Sequence, residues 1–309
     1  MKNPISVSVG IPAFNEEKNI KILLTSLLSQ RGKLFNLDKI FVISDASTDA
    51  TEKKAREIID SRVVVKSNQK RIGKSKGLNK IFSLSSSDLL ILMDGDVYID
   101  QKNLIELIVE KFLNTKGAGL ITVKVSPVMK KMSFVEKVLS HSQNMKIFLN
   151  DKILSSNPLY LCVGRTMGYS KKLYKKLIFP NKLIAEDAYS YLKAKEYGFK
   201  VGYQKMATIY YQPPKTISDH SKQSVRFFDG KNQLAKYFDS KQLENEYNLS
   251  SILLLKAFIW GFFKAPLLTI AYFIFLVYTK FLSIVNKNKT SFIWSVSETS
   301  KIVGDNNEK

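Results

Sequence analysis

Asp94 and Asp96 stand two residues apart at the tip of the apolar run Leu89 to Met93. Carboxylates that close repel each other, and a divalent cation held between them and a polyphosphate would relieve the repulsion. The other reading is a polar turn, for which Asp-Gly is a common dipeptide. A second acidic pair, Glu186 and Asp187, opens a helical pattern that turns Tyr191, Leu192 and Ala194 inward and stops at Gly198. Such a pair suits the start of a helix, where the dipole favours negative charge. Cations accompany both pairs. Arg71 and Lys74 flank Gly73, and Arg226 lies in the stretch Gln223 to Phe227, where a fork-shaped donor next to an aromatic suits a diphosphate and a sugar ring. Gly73-Lys74-Ser75 looks like the end of a phosphate-binding loop, but Asn68 stands where that loop needs its first glycine. What remains is a cationic loop approaching a diphosphate, or a solvated basic loop.

Something must hold these groups in place. The runs Ile5–Ile11, Lys39–Ser44, Arg62–Lys66, Leu89–Met93 and Leu120–Val125 are β-rich and alternate with helical patterns, which predicts a parallel α/β sheet. Ligands of such sheets bind beyond the carboxyl ends of the strands. Pro12 to Glu17, Asp45 to Asp49, Arg71 to Gly77 and Asp94 to Asp96 all fall there. Ile20, Leu23, Leu24, Leu27 and Leu28 share one helical face, as do Leu104, Leu107, Ile108 and Phe112. Ser133 and Glu136 form a capping box that opens a helix carrying Phe134, Val138, His141 and Met145 on one stripe. His141 is therefore read as a packed core residue, and His220 either as a neighbour of a diphosphate or as a loop residue. With two histidines in the chain, a zinc site built on them is not expected.

The 309 residues hold 48 Lys and Arg against 27 Asp and Glu, a net charge of +21 and a pI near 9.7 that favour anionic partners. A single cysteine, Cys162, rules out an internal disulfide. Apolar residues crowd between Ile252 and Val285. Ile252 to Phe263, interrupted by Lys256, is too short to span a bilayer and suits an interfacial helix. The 21 residues 265–285 are long enough to cross, or to enter and return, with Lys280 near one end. Lys287 and Lys289 follow directly, so the positive-inside tendency opposes an outward-facing end. The N-terminal segment has no apolar core and cleavage site of a secretory signal, so the catalytic part is expected to face the cytoplasm. Aromatics are not interleaved with Lys and Arg as stacking platforms, and no nucleic-acid partner is expected. A nucleotidyltransferase would use the paired aspartates but leaves Asp187 and the Gln223–Arg226 stretch without a role.

Taken together, and in this order, IPAFNEE (11–17), SDASTD (44–49), RIGKSKGLN (71–79), MDGD (93–96), CVGRTMGYS (162–170), AEDAYSYLKAKEYGFKVGY (185–203) and QSVRF (223–227) resemble glycosyltransferase family 2. The likeness runs over Val7 to Lys236, about three quarters of the chain. It implies a GT-A catalytic domain over 1–236; the apolar pattern beyond it gives an interfacial segment over 237–264, a transmembrane or re-entrant helix over 265–285 and a polar tail over 286–309. It further implies a UDP-, GDP- or dTDP-sugar donor, Mn²⁺ or Mg²⁺, inversion at the sugar, and a lipid-linked, polyprenyl phosphate or glycan acceptor at the cell membrane. Ala13, Phe14 and Glu16 would line the nucleoside pocket, Asp45 would contact the base, and Arg71 and Lys74 would lie near the diphosphate or base. Asp94 and Asp96 would carry the metal, and Asp187 would be the catalytic carboxylate, supported by Glu186 on the acceptor side. Gln223, Arg226 and Phe227 match the family's Q-x-x-R-W element, with Phe in place of Trp.

Overall fold

A computed structural model describes residues 3–128, 132–156 and 158–285. The first strand, β1 (Ile5–Ala13), is buried along almost its whole length, as expected of a central strand covered on both faces. It pairs in parallel with β2 (Phe35–Ser44) on one side and β4 (Leu89–Met93) on the other, and β3 (Val63–Ser67) extends the sheet beyond β2. The two-residue period of these strands divides the core. Ile40, Val42, Leu89 and Ile91 point to one layer, while Phe41, Ile43, Leu90 and Leu92 point to the other. The first layer is closed by α1 (Ile20–Leu28) and α4 (Leu104–Asn114), the second by α3 (Lys74–Leu84) and α7 (Glu186–Glu196). A short α2 (Thr51–Arg56) lies beside α1.

The rest of the sheet is not purely parallel. Its order is β3-β2-β1-β4-β7-β6-β8-β5, where β5 is Val97–Tyr98, β6 Ala118–Pro127, β7 Thr166–Ser170 and β8 Lys200–Tyr211. β7 runs antiparallel to both β4 and β6, β8 is parallel to β6, and β5 closes the edge antiparallel to β8. The sheet is thus mostly parallel with an antiparallel insertion. That insertion sets Thr166 opposite Met93, so the residues just before β7 sit directly beside the Asp94–Asp96 turn.

The capping box forms as expected: Ser133 N–H donates to Glu136 at 2.8 Å, and Glu136 N–H to the Ser133 hydroxyl at 3.3 Å, opening α5 (Phe134–Ser156). After β7 comes one turn of helix, α6 (Lys171–Tyr174). Beyond β8 follow α8 (Ile217–Leu234), α9 (Ser240–Tyr247), α10 (Ser251–Lys264) and α11 (Pro266–Val285). Of the two alternatives expected over 265–285, the transmembrane one is corrected here: among the described residues no helix is long and apolar enough to cross a membrane. α11 instead rests one face on the domain. Thr269 and Thr279 are fully buried there, the Thr269 hydroxyl sits 2.9 Å from His141 Nε2, and Phe275 packs with Val138 and Leu139. His141 is the packed residue its stripe implied, and burial lowers its pKa. His220 lies in α8 with its ring against Phe275, so the loop alternative for it is corrected. The polar tail over 286–309 lies outside the described residues.

Candidate active site

The first two strand ends are tied together by side chains. Asn15 N–H donates to Ser47 Oγ, Asn15 Nδ2 to Thr48 Oγ1, and Glu17 N–H to Asp49. Ala13 ends β1 buried, opposite Ser44. Glu16 is buried too, takes a 3.0 Å bond from Asn19 Nδ2, and lies against Gly95, where a Cβ would fall 2.8 Å from Glu16 Cγ. The middle residue of the Asp94–Asp96 turn must therefore be glycine for Glu16 to pack beneath it. Asp45 accepts from the backbone N–H of Ile72 at 2.8 Å and Gly73 at 3.0 Å, and from Asn68 Nδ2 at 3.1 Å. It thereby pins the basic loop. Arg71, on that loop, lies 3.8 Å from Asp45 and places its guanidinium carbon 3.5 Å above the Phe14 ring. Phe14, Asp45 and Arg71 thus make one cluster at the ends of β1 and β2, a cationic and aromatic surface suited to a nucleoside.

A second cluster fills the gap between the ends of β1 and β4 and the start of α7. Lys74, Asp94, Glu186 and Asp187 line a common pocket with Pro12 and Gly164. Lys74 Nζ is 2.7 Å from Asp94 Oδ1, and the two side chains are only 10% and 11% exposed. Burial pulls the Lys74 ammonium down, but Asp94, Glu186 and Asp187 outweigh it and leave its pKa above the ordinary lysine value. Burial likewise pushes the Asp94 carboxyl up against the pull of Lys74, with Asp96 adding repulsion. Asp96 takes Arg165, whose Nη1 lies 3.3 Å from Oδ2 and 3.4 Å from Oδ1.

Arg165 carries no role in the sequence reading. Its carbonyl accepts the Asp94 N–H at 3.0 Å, and its guanidinium lies 4.1 Å from the Tyr211 ring centre, so one residue braces both ends of the turn. A signal was present: an arginine stands immediately before a strand, inside a motif whose neighbours are small or apolar.

Asp187 sits in the first turn of α7, where the helix dipole favours its charge. Its oxygens accept the N–H of Gly164 at 3.1 Å and of Ala188 at 2.8 Å, which fix the carboxylate at the pocket wall. Burial lowers the pKa of Arg226, on α8, and the charges of Glu186, Asp94 and Asp187 oppose the shift. Gln223 lies one turn earlier on α8. Phe227 turns the other way, 55% exposed, with its ring 6.2 Å from that of Tyr247. Successive helical residues are about 100° apart, so Arg226 and Phe227 leave α8 in different directions.

Burial raises the Glu186 carboxyl to about 7; Lys74 and Arg226 oppose the shift, and Asp187 adds to it. Its ordinary value is 4.5, so between that pH and about 7 the folded chain binds a proton the unfolded chain has lost, and stability falls as pH rises. Buried His220, lowered to about 4, acts in the opposite sense below its ordinary value of 6.5. The difference between wild type and Glu186→Gln isolates the carboxyl. From pH 4.5 to 8 the wild type is expected to lose on the order of 3 kcal/mol relative to the variant in urea unfolding. Parallel pH curves for the two proteins would show that Glu186 titrates normally.

Among the described residues no group of three His, Cys, Asp or Glu side chains could hold a metal ion. Two hard carboxylates at one turn still fit a divalent cation of the kind that takes one or two protein carboxylates and completes its shell with substrate phosphates and water. Here the two carboxylates are paired with side-chain cations, Asp94 with Lys74 and Asp96 with Arg165.

The model of the family described as glycosyl transferase family 2 matches residues 8–178, more than half of the chain, and the chain belongs to that family. A 4,4'-diaponeurosporenoate glycosyltransferase from Staphylococcus haemolyticus is 33% identical over 129 residues, 41% of this chain and 33% of the relative. One from Staphylococcus aureus is 29% identical over 133 residues, 42% and 34% of the two chains. The matched region thus spans about a third of the length of these curated relatives. Among solved structures, a mannosyltransferase from Pyrobaculum calidifontis in complex with GDP-Man and Mn²⁺ superposes with a TM-score of 0.59 at 16% identity, covering 94% of this chain and 77% of that one. Glucosyl-3-phosphoglycerate synthase from Mycobacterium tuberculosis, solved with Mn²⁺, UDP-Glc and phosphoglyceric acid, superposes with a TM-score of 0.51 at 16% identity, covering 76% and 81%. These likenesses establish the GT-A fold.

Proposed function

We propose that this chain moves a sugar, with inversion, from a UDP-, GDP- or dTDP-sugar to a membrane-associated lipid-linked or glycan acceptor, with Asp187 as general base. The observation that carries the reading is the convergence of Asp187, Asp94, Glu186 and Lys74 on one pocket at the strand ends, with Arg226 near enough to feel the charge of its three carboxylates. In this reaction the acceptor oxygen forms a bond to the anomeric carbon while the bond from that carbon to the diphosphate breaks on the opposite face. The hydroxyl proton passes to Asp187, whose second oxygen stays anchored by backbone N–H. The electron pair leaves with the nucleoside diphosphate, and Lys74 and Arg226 stand where that charge grows. Asp94 and Asp96 would hold Mn²⁺ or Mg²⁺, which when bound supplies further positive charge at the diphosphate; the Mn²⁺ in both solved neighbours supports this.

A positioned base favours a hydroxyl nucleophile, as on a lipid-linked glycan, over the phosphate oxygen of a polyprenyl phosphate, which is already ionised at neutral pH. Nucleotide sugars are made in the cytoplasm, so the proposed setting is the cytoplasmic face of the cell membrane. A screen of UDP-, GDP- and dTDP-sugars with membrane lipids, following nucleoside diphosphate release in Mn²⁺, Mg²⁺ or chelator, tests the reading. One donor is expected to give metal-dependent release, and no release from any of them would overturn it.

A further inference from the structure

α10 and α11 present a face that the domain does not use. α10 buries Ala257 and Gly261 against α5, where a Cβ on Gly261 would meet the Met145 side chain at 2.8 Å. α11 buries Thr269, Phe275 and Thr279. The opposite stripes are apolar and open. Of the 25 exposed large hydrophobic side chains among the described residues, 15 belong to these two helices. Phe263 is 84% and Val277 72% exposed, and Phe258 joins the stripes, its ring 5.9 Å from Phe262 and 5.3 Å from Phe273. A contiguous apolar face of this kind marks an interaction surface.

Its charges choose the occupant. The exposed Lys256, Lys264 and Lys280 lie on these helices, and no Asp or Glu occurs from Tyr247 to Ser297. Two copies meeting through this face would bring lysines together without a carboxylate to pair with them, in a chain already at +21. A bilayer with anionic headgroups answers both features, because apolar side chains enter the acyl boundary while lysines reach the phosphates.

We propose that the outer face of α10 and α11 seats this chain on an anionic lipid surface, with both helices lying along it. α8, which carries Arg226, packs on the protein side of α11 through His220 and Phe275, so the helix bearing this arginine is mounted on the lipid-bound helices. The inference deepens the proposed function by naming the surface that delivers the acceptor, and rests on that reading for delivery alone.

The test is flotation of the full chain with phosphatidylcholine vesicles with and without phosphatidylglycerol, in the absence of any donor. Wild type is expected to float with the anionic vesicles, less so as salt rises, with a salt-resistant remainder. Phe263→Glu combined with Val277→Glu, both at exposed positions, should lower the bound fraction about tenfold or more. Phe263→Cys carrying an environment-sensitive fluorophore should shift to the blue on the same vesicles; the native Cys162 is buried and does not compete. Failure of wild type to float, equal flotation of the double variant, or a dimer in light scattering that this variant dissociates would each overturn the docking. None of these results bears on nucleoside diphosphate release, which the donor screen reads separately.

Discussion

Asp187→Asn is expected to lower kcat by about 10²- to 10⁴-fold, the range a positioned general base supplies, while nucleoside diphosphate affinity stays within a few-fold of wild type. Asparagine has nearly the same shape, so the pocket persists. It keeps one oxygen to accept from Gly164 or Ala188, but turns an NH₂ toward the other N–H, a local mismatch worth about 1 kcal/mol. That cost is far too small to account for the loss in rate, so a large fall in kcat at constant affinity reports the missing base. Asp187→Glu is the matching control: it keeps the acid but pushes it one methylene into the pocket, and should lose rate through misplacement. Turnover by Asp187→Asn equal to wild type would remove the residue from the role.

The sequence made the strand ends legible and hid what braces them. β4 and residues 40–43 of β2 are continuous apolar runs, residues 120–123 of β6 are one broken only by Thr122, and their buried setting follows directly from that. β7 is Thr-Met-Gly-Tyr-Ser, with no run and no clean alternation, and it is buried only because β4 and β6 flank it. Missing β7 meant missing the antiparallel insertion, and with it Arg165 beside Asp96. Side-chain partners were equally hard to foresee. Asp45, expected at a base, also accepts two backbone N–H groups of its neighbouring loop, and Glu16, expected to line a pocket, also packs against Gly95. The span over 265–285 failed for a different reason. Hydropathy counts every residue on a helix, whereas Thr269, Phe275 and Thr279 show that one face of α11 is already spent on the domain.

Asp94→Asn should separate two jobs that one carboxylate performs. As a metal carboxylate, its loss is expected to cost about 10²- to 10³-fold in metal-dependent turnover, the scale of removing one element of transition-state charge stabilisation. As the partner of Lys74 at 2.7 Å in a setting about a tenth exposed, its loss leaves a buried ammonium with weaker support. Breaking a buried pair from one side costs about 3–5 kcal/mol. Glu186 and Asp187 still face Lys74, so the lower end, about 3 kcal/mol, is expected in urea unfolding. Adding Lys74→Met to Asp94→Asn removes the stranded charge as well, and removal of both partners of such a pair is close to neutral. The double variant should therefore recover most of the stability and none of the metal-dependent rate, with Mn²⁺ binding in the presence of nucleoside diphosphate still weakened. Recovery of rate along with stability would mean that Asp94 serves the pocket only as a counter-charge to Lys74, and that any metal is held without it.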